Sequence, residues 1–108
     1  MTDITQLTPH ELQALLAEQP DTLLLDVREP EETALCALPG SVPIPMGELA
    51  MRHNELPDDT PIAVYCHHGI RSQYCALYLA DAGFAPLYNL KGGIDAWARD
   101  LEPDMPRY

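Results

Sequence analysis

Two short apolar runs, each closing on a residue with chemistry of its own, restrict this chain to few folds. The first is Thr22-Leu23-Leu24-Leu25-Asp26-Val27, charged only near its C-terminal end. The second is Pro61-Ile62-Ala63-Val64-Tyr65-Cys66, with no charge at all. A strand with one face in water alternates apolar and polar residues. An unbroken run of this length instead suits a strand covered on both faces, which is the habit of parallel sheets.

The rest of the chain supplies the covering. Thr8-Pro9-His10-Glu11 is a helix start: Thr8 can cap, Pro9 needs no amide partner at the first position, and Glu11 completes a capping box. Leu12, Leu15 and Leu16 then mark one face, and Gln19-Pro20 stops the helix. Ile4 to Leu7 reads as a short strand before it. Residues 29–34 read as a short helix, and Pro39 to Pro45 as an extended segment whose prolines confine it to a sheet edge. Met46 to Leu56 is expected to be helical, and Pro57 to Pro61 a turn. After Cys66 comes a glycine-containing loop, then a helix from about Arg71 to Ala82 with Tyr74, Leu77, Tyr78 and Ala82 along one side. Leu87 to Leu90 is a fifth strand, and Lys91-Gly92-Gly93 turns it into a last helix carrying Ile94, Trp97 and Leu101. Strands alternating with helices predict an α/β fold: a parallel sheet of about five strands with helices on both faces. The expectation is one domain over 1–108, with its core in 5–101 and an irregular tail at 102–108.

Charge excludes some partners. The chain carries 6 Lys and Arg against 17 Asp and Glu, a net −11. That balance repels nucleic acid and anionic membranes, and any anion site would need local compensation; a basic protein would be attracted. The start of the chain, Met1 to Thr5, reads as no secretory leader, and no stretch approaches the roughly 20 apolar residues of a membrane span. Cys36, Cys66 and Cys75 are odd in number and lack CxxC spacing, so reduced thiols in the cytoplasm are expected.

In open parallel sheets, sites form beyond the carboxyl ends of the strands. Asp26-Val27-Arg28, Cys66 to Ser72 and Lys91-Gly92-Gly93 converge there. Cys66 ends a buried strand and opens a loop that leads into a helix N-terminus. Amides of residues 67–71 can curl around the sulfur, with Arg71 and a protonated His67 or His68 adding positive charge. All of these favour the thiolate, which is the reactive form. A buried, inert structural cysteine is the alternative.

At this loop, Cys66-His67-His68-Gly69-Ile70-Arg71-Ser72, the sequence resembles the rhodanese family, and its single-domain sulfurtransferases in particular. Three further segments are similar to family signatures in the same order: Leu24 to Glu29, Leu38 to Pro45, and Tyr88 to Trp97. Together they span about residues 5 to 101. The Cys-His-His-Gly-x-Arg-Ser variant is also similar to rhodanese domains fused to enzymes that activate ubiquitin-like sulfur carriers. One departure stands out: where the family commonly has a His before its second signature, this chain has Cys36-Ala37-Leu38.

The resemblance implies a rhodanese-like domain and a ping-pong sulfur transfer. Cys66 would take the outer sulfur of a donor such as thiosulfate and hold it as a persulfide. The loop of His67, His68, Gly69, Ile70 and Arg71 would bind it, and a thiol, a protein or cyanide would accept it. Arg71 would neutralise the donor's sulfonate. Asp26 and Arg28 read as supporting residues, a carboxylate on loop amides and a guanidinium in an ion pair, in preference to substrate contacts. Ser72 reads as a helix-terminal hydrogen-bonding residue. Gly69 permits a backbone that a side chain would forbid, and Gly93 with Gly92 either lets the last loop approach Cys66 or makes an ordinary turn. Cys75 reads as core, Trp97 as core with no cofactor implied, and Cys36 as a residue of a connection that could be exposed, where a resolving disulfide with Cys66 is conceivable but has no further support. A metal at His67 and His68 is not expected, since adjacent residues do not readily converge on one ion. Three rivals remain: a protein-to-protein persulfide relay with incidental thiosulfate activity, a Cys-dependent phosphatase or arsenate reductase, and a binding module that keeps only the fold. The phosphatase pattern is Cys-x5-Arg, whereas Cys66 to Arg71 is one residue shorter.

Overall fold

Thr8 starts the first helix in the way its side chain dictates. In the computed structural model, which describes residues 4–108, Thr8 Oγ1 accepts from the Glu11 amide at 3.2 Å and the Thr8 amide donates back to Glu11 Oε1 at 2.9 Å. A cap of this kind stabilises a helix by about 1 kcal/mol. The first residues read above, Met1 to Asp3, lie outside the described residues.

The elements run β1 (Ile4–Leu7), α1 (Pro9–Glu18), β2 (Leu23–Asp26), α2 (Pro30–Leu35), β3 (Val42–Pro43), α3 (Leu49–Arg52), β4 (Ile62–Tyr65), α4 (Ile70–Asp81), β5 (Leu87–Leu90) and α5 (Gly93–Asp100). Five parallel strands form one sheet in the order β1-β5-β4-β2-β3. The two apolar runs are central neighbours, and Asp26 lies opposite Tyr65 at their carboxyl ends. The proline-bearing β3 is an edge of only two residues.

Alternation along the strands sorts side chains into two cores. Leu25, Val27, Ile62, Val64, Cys66 and Leu87 pack with Leu49, Leu56, Cys75, Ala76 and Leu79 on the α3–α4 face. Leu24, Ala63, Tyr65 and Leu90 pack with Leu12, Ile94 and Trp97 on the α1–α5 face. The expected two-sided covering is present, and it fixes Cys66 on the α4 side of the sheet.

Three local expectations need correction. Residues 46–55 form not one helix but a four-residue α3 between two single 3₁₀ turns, Met46–Glu48 and His53–Glu55. Gly47, His53 and Asn54 are weak helix formers, and the segment breaks into short turns while Leu49 and Leu56 stay buried against the core. On α4 the side marked by Tyr74, Leu77 and Tyr78 faces solvent, while Ser72, Cys75, Ala76 and Leu79 face the sheet. Small residues at 72 and 76 allow the close approach; large apolar residues alone do not say which face docks. The tail forms no helix or strand, as expected, yet it folds back: Met105 packs on the α1–α5 core. No helix among the described residues is long and apolar enough to cross a membrane.

Candidate functional site

β4 is buried at every position and delivers Cys66 to its carboxyl end, where the residue is 1% exposed. The chain then turns back over the sulfur. The Gly69 amide donates to Sγ at 3.1 Å and the Ser72 amide, in the first turn of α4, at 3.4 Å. Ser72 Oγ lies 3.4 Å from the sulfur and donates its own hydrogen to Asn89 Oδ1. Asn89 is 3% exposed and gives its amide hydrogens to Gly69 O at 3.2 Å and Gln6 Oε1 at 2.9 Å. The loop is therefore tied from beneath to β5 and β1. Donors converging on one atom at a helix N-terminus suit an atom that carries negative charge.

Two glycines make the turn physically available. Gly69 has φ +97°, and a Cβ there would sit 3.2 Å from both Leu90 O and Gly92 N. Gly93, at φ +65°, would drive a Cβ into the carbonyl of His67. That approach lets α5 reach the loop: the Ile94 amide donates to Cys66 O at 2.9 Å and the Asp95 amide to His67 O at 3.1 Å. Gly93 thus serves the close approach, the first of the two readings above.

Beside the cradle, Asp26 and Arg28 form an ion pair with both side chains 0% exposed. Asp26 Oδ1 accepts from the Arg28 amide and Nε, and Oδ2 from Nη2 at 2.8 Å and from Tyr65 OH at 3.1 Å. Arg28 also donates to the carbonyls of Glu32 and Cys36 and to Tyr108 OH. Burial works against its charge, but Asp26 and Tyr108 outweigh burial and hold its pKa above the ordinary value. Both residues are engaged with protein groups, in keeping with a supporting role.

Arg71 is placed differently from the expectation. Both its terminal nitrogens donate to Glu32, at 2.7 and 2.9 Å. Glu32 accepts in addition from the Glu29 amide at 3.1 Å and Tyr108 OH at 2.7 Å, so each carboxylate oxygen has two donors. The Arg71 bonds above all hold its pKa down at about 2. Burial pushes the Tyr108 phenol up to about 12, which keeps it a donor. Neither Glu32 nor Tyr108 was legible as a site residue. The Glu29-to-Glu32 spacing of a helix start was a signal for the first; Tyr108 left none. Asn89, the lone amide within an apolar strand, was also readable.

The expected positive charge on His67 is not supported. Burial first, then His68, lowers its pKa, so the ring is neutral near pH 7. It lies between His68 and Tyr108, each with ring centroids 3.8 Å away. The neighbouring histidines do converge, contrary to expectation: donor atoms of His67, His68 and Asp95 lie within 4.8 Å of one another. Asp95, however, is held by Arg107 through both oxygens, at 3.0 and 3.1 Å. Ile70 is 68% exposed beside the loop. Cys75 is buried in the α4 core, its thiol pushed up to about 11 by burial and then by Cys66. Cys36 is half-buried rather than exposed, and lines a small cleft together with His67, Arg107 and Tyr108.

The profile of the "Rhodanese-like domain" matches residues 8–100. A "Sulfurtransferase" of Allochromatium vinosum is 36% identical over 96 residues, covering 89% of this chain and 90% of its own length. The "Thiosulfate sulfurtransferase GlpE" of Pseudomonas syringae is 34% identical over 97 residues, with 90% of each chain covered. Among solved structures, a rhodanese-like domain protein of Staphylococcus aureus superposes with a TM-score of 0.80 at 31% identity, covering 87% of this chain and 91% of that one. Sequence profile, full-length relatives and fold agree: the chain belongs to the rhodanese-like family of sulfurtransferases.

Proposed function

We propose that this protein carries sulfane sulfur as a persulfide on Cys66. The thiolate attacks the outer sulfur of a donor such as thiosulfate; the S–S bond breaks and its electron pair leaves with sulfite. A thiolate acceptor then attacks the terminal sulfur of the persulfide and departs with it, and the Cys66 thiolate is restored. No metal or redox cofactor enters this balance. The cycle is ping-pong, with the persulfide as the covalent intermediate.

The observation that carries the reading is the pair of amides, Gly69 and Ser72, aimed at one sulfur. Preset donors stabilise charge on a terminal sulfur as they do on an oxyanion, with no reorganisation when the charge arrives. A phosphatase needs a wider ring that encloses a tetrahedral anion with its arginine; here the arginine is turned to Glu32. Three free cysteines suit a reducing, cytoplasmic setting.

Intact-mass spectrometry tests this directly. Reduced wild-type protein incubated with thiosulfate or with an alkyl persulfide is expected to gain one sulfur atom, and Cys66→Ser to gain none. Absence of an adduct with both donors on folded, reduced protein overturns the reading.

A further inference from the structure

The chain has six basic side chains, and the structure commits nearly all of them. Arg28 is bound to Asp26, Arg52 to Glu48 and Glu55, Arg71 to Glu32, Arg99 to Asp100 and Arg107 to Asp95. Lys91 alone lacks a carboxylate partner among the described residues. Thiosulfate approaching Cys66 therefore meets no uncompensated arginine, on a chain of net charge −11. Arg71 keeps N–H groups free of Glu32, but the pair as a whole is neutral. Glu32, with four donors on two oxygens, is well fixed and not readily displaced by a weakly held anion.

We propose that Glu32 determines donor choice: by cancelling the charge of Arg71 at the rim of the Cys66 loop, it disfavours dianionic donors and selects persulfides on carriers of low charge. This rests on Cys66 being the sulfur carrier. The step itself balances: the Cys66 thiolate attacks the outer sulfur of R–S–SH, the S–S bond breaks, and its electron pair stays with the carrier sulfur. The proton passes to that sulfur, leaving R–SH and the Cys66 persulfide. The selected donor needs no cation at the rim, so the neutral pair costs it nothing.

The test compares two donors, thiosulfate and the persulfide of N-acetylcysteinamide, by stopped-time intact mass and by the KM of sulfur transfer. Glu32→Gln uncovers the Arg71 charge. It is expected to lower the KM for thiosulfate about tenfold, more at low salt than at high, while the persulfide changes by less than about twofold. In the double variant Glu32→Gln with Arg71→Gln the uncovered charge is removed, and its KM for thiosulfate is expected about tenfold above that of Glu32→Gln. An unchanged KM in Glu32→Gln, an equal change for both donors, or a double variant that keeps the low thiosulfate KM of Glu32→Gln overturns the inference while leaving the persulfide reading intact. No sulfur gained from either donor by wild type overturns both.

Discussion

The two central strands end side by side and solve different problems. At the end of β2, Asp26 and Arg28 are locked through their own buried side chains: they pair with each other, the carboxylate accepts from a tyrosine hydroxyl, and the guanidinium reaches two main-chain carbonyls. At the end of β4, Cys66 is held by main-chain amides and one hydroxyl. The difference teaches what each site is for. A buried ion pair is costly to form and costlier to break in half, so it fixes geometry and makes a poor reagent. Peptide amides bond the sulfur without any covalent claim on it, so under the proposed function they would steady its charge and leave its bonding to a donor.

Breaking the side-chain lock gives the largest expected effect. Arg28→Met strands the Asp26 carboxylate in the core and should cost about 3–5 kcal/mol, visible as a lower urea midpoint with little change in slope. Stability equal to wild type would mean that the pair is not what holds β2's end in place. Next comes the main-chain side. Gly93→Ala combines a positive φ with a clash against the His67 carbonyl, and should cost about 2–4 kcal/mol while loosening the loop. Amide exchange at Gly69 and Ser72 is expected to speed up in this variant and to stay slow at Leu25 and Val27.

Ser72→Ala sharpens the contrast further. It removes the hydroxyl that links Cys66 to Asn89 and leaves Asn89 Oδ1 without its partner, at about 1–2 kcal/mol. Because both amides survive, the sulfur adduct should still form; its loss would show that the hydroxyl, and not the main chain, holds the sulfur. The smallest effect is in pH. Glu32 has its folded pKa lowered to about 2 from 4.5. Its stabilisation is therefore complete above about pH 4.5 and fades as pH falls toward 2. The Glu32 carboxyl carbon shift in NMR should stay that of an ionised group at pH 4; a midpoint near 4.5 would mean the Arg71 pair is open in solution.

Much of this was legible from the residues, for a physical reason. Features made by neighbours in sequence declare themselves: the two covered strands, the Thr8–Glu11 cap, the proline-limited edge and the loop from Cys66 to Ser72. Features made by the fold do not. Arg71 meets Glu32 across 39 residues, and Tyr108 meets Arg28 across 80. Local pattern cannot say that the tail returns to the loop, nor that it brings a phenol which helps hold the carboxylate paired with Arg71. The docking face of α4 escaped for a related reason, since Tyr74 and Tyr78 look like core until the sheet chooses Ser72 and Ala76. Residues 46–55 illustrate the limit of reading a helix from apolar rhythm: Leu49 and Leu56 keep helical spacing, yet the weak helix formers Gly47, His53 and Asn54 leave the backbone in short turns.

The contact of α5 with the loop has a consequence for the order of events as the chain is made. The carbonyls of Cys66 and His67 find their partners only on the amides of Ile94 and Asp95. These contacts are among the last to form as the chain leaves the ribosome, so the backing of the Cys66 loop waits for the final helix. If Cys66 carries sulfur as proposed, a truncated or stalled product would hold its cysteine in a loop whose carbonyls lack these partners.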